Sequence, residues 1–177
     1  MQKKTIWDLN RPSTEEYRTQ EKLPLVLVLD NIRSLNNVGS MFRTSDAFAV
    51  NHICLCGITA TPPSPEIHKT ALGAEDSVAW QYFENTLDAI AALKEDGYTV
   101  CCLEQVKDSV SLEKFTIRKG DKYAVIVGHE VNGVDPAVVN ASDVCIEIPQ
   151  RGTKHSLNVS VSAGMALWHI FQQMITN

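Results

Sequence analysis

The chain has 177 residues, 44 % of them hydrophobic and 21 % charged, with a formal net charge of −5. This length predicts a domain with a full hydrophobic core, and the acidic balance disfavours a broad basic face for nucleic acid while allowing a local basic patch. No apolar run approaches the roughly 20 residues of a membrane span, and the first residues lack the apolar centre of a secretory signal, so the sequence predicts a cytoplasmic protein.

Residues 1–24 are polar and of mixed charge, with prolines at positions 12 and 24. Ser13 and Glu16 have the spacing of a capping box, which predicts that a helix begins after Ser13. From residue 25 onward the pattern changes to alternating apolar strands and helices. We therefore expect an N-terminal helical appendage over 1–24 and a main domain over 25–177.

Apolar runs in the main domain predict strands over 25–30, 52–58, 98–104, 122–128 and 143–149. The sequence predicts helices over 38–49, 86–97, 135–142 and 156–175, and a proline-rich loop over 59–69. Buried strands that alternate with helices are typical of an α/β fold with a mostly parallel sheet covered by helices on both faces.

Cysteine and histidine spacing gives little sign of disulfides or metals. The five cysteines lie inside predicted strands, and their spacing fits neither a disulfide framework nor a zinc site. The five histidines show no metal-ligand spacing. We expect buried, reduced thiols and no metal.

Three segments place glycine beside polar residues near strand ends, where open parallel sheets bind ligands. They read "NVGSMFR" (37–43), "GHEVNG" (128–133) and "IPQRGTKHSLN" (148–158). Glycine lets backbone N–H and C=O groups approach a ligand. The dinucleotide fingerprint, the phosphate loop and the nucleophile elbow are absent from the sequence, which counts against a nucleotide-dependent enzyme that acts on a small molecule.

The polar residues of these segments each allow a structural and a functional interpretation. Arg43 either pairs with Asp46 along its helix or reaches a planar anion such as phosphate over the small residues Gly39 and Ala47. Glu130 is either a solvated turn carboxylate or part of a site.

Ser156 and Asn158 precede the long C-terminal helix, and either one could simply cap it. The small residues that follow could serve only close helix packing. The occurrence of all three segments in this order favours a functional role.

Together the segments resemble the motifs of the SpoU/TrmH class of SPOUT methyltransferases, over residues 25–175. The N-x-G-x-x-x-R motif is matched by Asn37, Gly39 and Arg43, and a strand followed by G-x-E-x-x-G by Gly128, Glu130 and Gly133. I-P-x-x-G followed by S-L-N is matched by Ile148, Pro149, Gly152, Ser156, Leu157 and Asn158. The resemblance implies a SPOUT α/β-knot, whose C-terminal part forms a deep trefoil knot, and a homodimer with the site near the subunit interface.

The resemblance also implies S-adenosylmethionine as cofactor, bound largely through main-chain groups. The implied cofactor-binding residues are Leu103, Glu104, Gly128, Ile148 and Leu157. The implied reaction is methyl transfer to a ribose 2′-hydroxyl of RNA, with a D-loop guanosine of tRNA as the favoured target. The alternatives are ribosomal RNA as substrate, or a non-catalytic RNA-binding or assembly protein of the same fold.

By the same resemblance, Arg43 is the central catalytic residue. A guanidinium stays protonated at neutral pH, so we expect Arg43 to hold the RNA phosphate and stabilise charge near the 2′-oxygen. Asn37 would orient Arg43 or the ribose, and Glu130 would hold the loop and the arginine network. Ser156 and Asn158 would position the substrate and the methionine end of the cofactor. The candidate RNA-binding residues are Arg33, Lys69, Arg151 and Lys154.

Overall fold

The computed structural model describes Met1, residues 3–5 and residues 7–176. Its strands are β1 Leu23–Asp30, β2 Val50–Cys56, β3 Ala79–Phe83, β4 Tyr98–Leu103, β5 Val110–Ser111, β6 Lys122–Val127 and β7 Val144–Glu147. In the described part of the chain they form one sheet in the order β3-β2-β1-β6-β4-β7-β5, and each neighbouring pair is parallel. The predicted mostly parallel sheet is confirmed.

The helices are α1 Thr14–Thr19, α2 Leu35–Ala47, α3 Pro65–Ala71, α4 Ala74–Ser77, α5 Thr86–Glu95, α6 Pro136–Ala141 and α7 Val159–Thr176. Short 3₁₀ turns span Trp7–Leu9 and Leu112–Lys114. No helix among the described residues is both long and apolar enough to cross a membrane.

The central strand β1 shows why helices cover both faces of the sheet. Successive side chains of a strand point to opposite faces. Leu27 packs in the same core cluster as Phe42 of α2 and Leu167 of α7, whereas Val28 packs in a second cluster with Ile90 of α5. Because β1 is buried on both sides, it reads as a continuous apolar run, as strands of covered parallel sheets do.

Two predicted boundaries are wrong in an informative way. Helix α2 begins at Leu35 after the N-cap Ser34, not at residue 38, so "NVG" belongs to its first turns and not to a loop. The first turn is polar, and apolar periodicity therefore detected the helix late. In the predicted loop 59–69, α3 begins at Pro65 after the N-cap Ser64, because proline is favoured in a first helical turn.

Strands β3 and β5 were not predicted. Most of β3 is exposed, because it forms one edge of the sheet, so it shows no alternation of burial. Strand β5 has two residues and forms the opposite edge. Edge strands lack the two-sided burial that makes a strand visible in a sequence.

The capping box that was predicted at the N-terminus is confirmed. Ser13 accepts from the Glu16 N–H, and the Glu16 carboxylate accepts from the Ser13 N–H. Tyr17 of the same helix is buried and donates its hydroxyl to the Asp46 carbonyl at 2.9 Å, so α1 is anchored to α2. The division at residue 24 stays a prediction, and β1 already begins at Leu23.

The cysteines are free and lie in strands, as predicted: Cys54, Cys56, Cys101 and Cys102 are buried, and Cys145 is half-buried. Burial raises the pKa of the Cys54, Cys56 and Cys101 thiols to about 12. Such thiols are protonated and unreactive at neutral pH.

Candidate active site

A cleft of ≈ 770 Å³ opens at the carboxyl ends of β4, β6 and β7. This is the edge of a parallel sheet at which ligands bind. The walls are the strand ends, the loop 128–134 and the segment 155–159. All five residues that the resemblance assigned to the cofactor line this cleft: Leu103, Glu104, Gly128, Ile148 and Leu157.

The loop 128–134 is folded tightly on itself. The His129 N–H donates to the Gly133 carbonyl at 3.0 Å, and the Gly133 N–H donates back at 2.8 Å. His129 Nδ1 also accepts from the Val131 N–H at 3.0 Å. A Cβ at Gly128 would lie 2.4 Å from the Val134 nitrogen, so the loop can close only over a glycine at that position.

Glu130 connects this loop to the N-terminus of α2. Its carboxylate accepts from the backbone N–H groups of Arg33 at 3.0 Å and Ser34 at 2.9 Å, and from Asn37 Nδ2 at 3.0 Å. Partial burial by itself would raise the pKa of Glu130, but the bonds from Asn37, Ser34 and Arg33 lower it below its ordinary value. Glu130 is therefore an ionised anchor and a poor proton acceptor.

Asn158 has both of the interpretations that its position allows. Its Oδ1 accepts from the Ser160 N–H at 2.9 Å, as a cap of α7 does. Its Nδ2 donates to Asn37 Oδ1 at 3.2 Å. Asn37 thus joins Glu130 to Asn158, and one hydrogen-bonded chain connects all three motif segments.

Arg43 lies exposed on α2 and has no hydrogen bond or ion pair with any other described residue. The alternative of an ion pair with Asp46 is wrong, because Asp46 Oδ1 instead accepts from Ser77 Oγ at 2.6 Å. The donors to Glu130 also exclude the Arg43 guanidinium. The guanidinium is available to an anion from outside the chain.

Gly39 serves helix packing. A Cβ at this buried position would lie 2.2 Å from Thr70 Oγ1 and 2.3 Å from the Ile67 carbonyl oxygen, both in α3. The glycine therefore lets α2 and α3 approach closely, and its small size is explained without Arg43.

Ser156 and the proposed RNA-binding residues are exposed. Ser156 lines the cleft and has no hydrogen bond within the described residues. The Arg33 N–H donates to Glu130, and Arg151 and Lys154 lie in the chain between Gln150 and His155, which line the cleft. Lys69 pairs with Glu66 within α3 at 2.6 Å, so an exposed ion pair describes it before any ligand is considered.

The sequence did not single out Asp30 and Ser34, which support the site. Asp30 is buried, and its carboxylate accepts from Thr86 Oγ1 at 2.6 Å and from the Asp135 N–H at 3.0 Å. An acidic residue at the end of an apolar strand was the available signal for Asp30. For Ser34 it was a serine three residues before Asn37, the spacing of an N-cap.

Comparison with known proteins relates this chain to a family of methyltransferases. Residues 24–168 match the model of the SpoU rRNA Methylase family. The chain is 34 % identical over 153 residues to the 23S rRNA (guanosine-2'-O-)-methyltransferase RlmB of Nitrosomonas europaea. The aligned region covers 84 % of this chain and 56 % of that protein. The chain thus spans less than two thirds of that relative. The residues matched by the family model include all three motif segments.

Two solved structures have the same fold. The AdoMet-bound rRNA methyltransferase from Sinorhizobium meliloti superposes with a TM-score of 0.77 at 24 % identity, over 88 % of this chain and 58 % of that chain. The TrmH/SpoU tRNA modifying enzyme of A. aeolicus gives 0.78 at 25 % identity, over 90 % of this chain and 79 % of that chain.

Proposed function

The chain belongs to the SpoU rRNA Methylase family of S-adenosylmethionine-dependent RNA methyltransferases, and from this premise we propose that it methylates a ribose 2′-hydroxyl of RNA. The observation that carries the proposal is the hydrogen-bonded chain from Glu130 through Asn37 to Asn158 at the rim of the cleft. Arg43 stands on the same helix as Asn37 with its guanidinium unpaired among the described residues.

The cleft suits S-adenosylmethionine in size and lining. Its volume is within the range of about 300–1,000 Å³ that small-molecule sites occupy. Leu103, Ile148 and Leu157 supply apolar walls, and the glycines at 128 and 133 bring backbone close to the cavity. The bound cofactor would supply a methyl group on a sulfonium that needs no acid to leave.

In the proposed reaction, the 2′-oxygen would receive the methyl group that the bound cofactor supplies, with loss of the carbon–sulfur bond, and the hydroxyl proton would pass to solvent. Arg43 holds the neighbouring phosphate and stabilises the charge that develops on the oxygen. Asn37 is fixed by Glu130 and Asn158, so it sets the position of the first turns of α2. Ser156, exposed at the cleft, orients the substrate.

A guanosine of ribosomal RNA is the substrate that the comparisons support better. The relative at 34 % identity carries that description, whereas the sequence motifs alone favoured the D-loop guanosine of tRNA. Transfer RNA is the second candidate, because the A. aeolicus tRNA modifying enzyme matches this chain over 79 % of its own length. Arg33, Arg151 and Lys154 are exposed around the cleft and would contact the phosphates.

We further infer a trefoil knot from the path of residues 104–121. On one side this segment pairs Val110 with Ile146 of β7. On the other side Phe115 and Ile117 hydrogen-bond to His169 and Gln173 of α7. The segment therefore contacts both elements that the chain forms after it, as a loop does when the later chain passes through it. An experimental structure whose smoothed chain path is unknotted would contradict this inference.

A homodimer is supported by the outer face of α7. Val161, Met165 and Trp168 follow the one-face spacing of a helix and are 52 %, 42 % and 50 % exposed. Phe48 packs its ring on Trp168 with centroids 5.7 Å apart, which extends the apolar surface onto α2. An apolar face of this kind marks an interaction surface, and a second copy of the chain is the proposed occupant.

Incubation with methyl-labelled S-adenosylmethionine and either ribosomal or transfer RNA tests the proposal. We expect label at a ribose 2′-oxygen of ribosomal RNA, mapped by nuclease digestion and mass spectrometry. Label in transfer RNA only would favour the second candidate. RNA binding without any calorimetric binding of cofactor would favour a non-catalytic RNA-binding protein.

A further inference from the structure

Glu104 makes contacts that differ from those of a ligand-binding carboxylate. Its backbone N–H donates to the Ile146 carbonyl at 3.0 Å, which fixes the residue between β4 and β7. Its Oε1 accepts from the Gln105 N–H at 2.8 Å, and its Oε2 accepts from the Val134 N–H at 3.0 Å. Each carboxylate oxygen therefore already holds a backbone N–H group.

The Glu104 carboxylate occupies the space beside Gly133. A Cβ on Gly133 would lie 2.3 Å from Glu104 Oε2, and the three heavy atoms nearest to it all belong to Glu104. Gly133 also has φ +70°, a conformation that favours glycine. A side chain at position 133 would therefore displace the Glu104 carboxylate and adopt a backbone conformation that L residues rarely take.

Two carboxylates hold this loop from opposite directions. Glu130, within the loop, reaches outward to the start of α2. Glu104, on the neighbouring strand end, holds the last N–H of the loop. Both residues line the cleft, and the loop between them forms one of its walls.

We propose that Glu104 is a positioning residue, which fixes the loop 128–134 so that its backbone can receive the cofactor. This inference rests on the proposed function. This role differs from direct recognition of the cofactor, because Glu104 acts by holding the loop and its carboxylate does not contact the ligand. Its removal should therefore weaken the cationic S-adenosylmethionine and the uncharged-sulfur product S-adenosylhomocysteine alike.

Calorimetry on the full chain with Glu104→Ala and Glu104→Gln provides the first test. We expect affinity for both ligands to fall by about tenfold in Glu104→Ala and less in Glu104→Gln, since glutamine keeps one acceptor oxygen. A loss confined to S-adenosylmethionine would overturn the proposal in favour of a direct charge contact.

Glu147→Gln is the matched control, since it neutralises another carboxylate that lines the cleft. Glu147 has no side-chain hydrogen bond within the described residues, so its loss leaves the loop in place. An equal loss of affinity in Glu147→Gln and Glu104→Gln would contradict a positioning role.

Backbone amide exchange of the ligand-free protein separates failure of this inference from failure of the proposed function. Glu104→Ala should speed exchange at the Val134 amide by about tenfold or more, and Glu147→Gln should not. If wild type binds neither ligand, the proposed function fails, and so does the cofactor role of Glu104. Faster Val134 exchange in Glu104→Ala would still establish that Glu104 holds the loop. Unchanged Val134 exchange in Glu104→Ala overturns the inference, whatever the ligands do.

A double-mutant cycle provides a second test. Gly133→Ala should weaken cofactor binding strongly when Glu104 is present, because the new methyl group displaces the carboxylate. In a Glu104→Ala background the same substitution should cost much less, although the strain at positive φ remains. Strictly additive effects would contradict a direct coupling of these two residues.

Discussion

At the scale of single residues, the candidate site residues include charges that are already paired and one that has no partner within the described residues. The carboxylates of Glu104 and Glu130 are occupied by backbone N–H groups, whereas Arg43 has no partner within the described residues. A carboxylate that accepts hydrogen bonds from backbone N–H groups fixes the conformation of the backbone. A guanidinium without such a partner can bind a phosphate. We therefore expect the chemistry of the proposed reaction to depend on Arg43.

Arg43→Ala should lower methyl transfer by about 10²-fold or more while cofactor affinity stays near wild type. Because Arg43 is exposed and unpaired, the free energy of unfolding should change by less than about 0.5 kcal/mol. Single-turnover assays, calorimetry and urea unfolding measure the three quantities. Near-normal methyl transfer in this variant would remove Arg43 from the mechanism.

Glu130→Gln should destabilise the protein at neutral pH by about 1–2 kcal/mol, because one acceptor oxygen is replaced by a donor. The pKa of Glu130 is lowered in the folded protein. Its ionised form therefore contributes stability that is fully present above the ordinary carboxyl pKa of 4.5 and is lost as the pH falls through the lower folded value.

The stability difference between wild type and Glu130→Gln should accordingly shrink below about pH 4.5. Urea unfolding at about pH 7 and about pH 3.5 measures this change. A difference that is constant across this range would mean that the Glu130 charge does not stabilise the fold.

At the scale of secondary-structure elements, the start of α2 decides the geometry of the site. Ser34 caps the helix, and Glu130 accepts from the backbone N–H groups of Arg33 and Ser34 just before its first turn. Asn37 consequently projects from a rigid helix and not from a flexible loop. The close approach of α3, which Gly39 permits, supports the other side of α2.

Gly39→Ala should destabilise the protein by more than about 2 kcal/mol, because the added methyl meets backbone of α3. Gly164→Ala is the matched control, since its nearest contact would be Thr44 Cγ2 at 3.8 Å. In that variant the better helix propensity of alanine should stabilise α7 by up to about 1 kcal/mol. Thermal unfolding of both variants measures these effects, and equal destabilisation would contradict the packing argument.

At the scale of the whole molecule, charge and exposed apolar surface bear on the proposed dimer and on the proposed binding of RNA. With a net charge of −5, the proposed RNA contacts would fall to a local set of cations. The outer face of α7 carries the apolar surface proposed for the dimer. These two features lead to separate predictions.

Trp168→Glu should shift the molar mass in light scattering from dimer to monomer, because a carboxylate would be buried in an apolar interface. Trp80→Glu on the edge strand β3 is the control, since Trp80 is also exposed but lies outside α7. Dimer mass retained in Trp168→Glu would place the interface elsewhere.

Arg151→Ala combined with Lys154→Ala should reduce the slope of the logarithm of RNA affinity against the logarithm of salt concentration by about one to two. Lys94→Ala should leave that slope unchanged, since Lys94 of α5 already forms an ion pair with Asp143 at 2.7 Å. Filter binding at several salt concentrations measures the slopes. Identical slopes for wild type and the double variant would exclude these residues as phosphate contacts.

The sequence by itself determined the α/β class, five of the strands and the three motif segments. Continuous apolar runs and helical periodicity are local properties, so they can be read without knowing what lies opposite. Leu103, Gly128 and Leu157, which the family resemblance assigned to the cofactor, line the cleft, and their contact with the cofactor stays a prediction.

Only the tertiary structure decided what the polar residues contact. Asn37 and Glu130 are 93 positions apart, and Asn37 and Asn158 are 121 apart. No local pattern specifies which distant donor satisfies a given carboxylate or amide. The same reason applies to three other features that depend on segments distant in the sequence: the edge strand β3, the packing role of Gly39, and the contact of Glu104 with the loop 128–134.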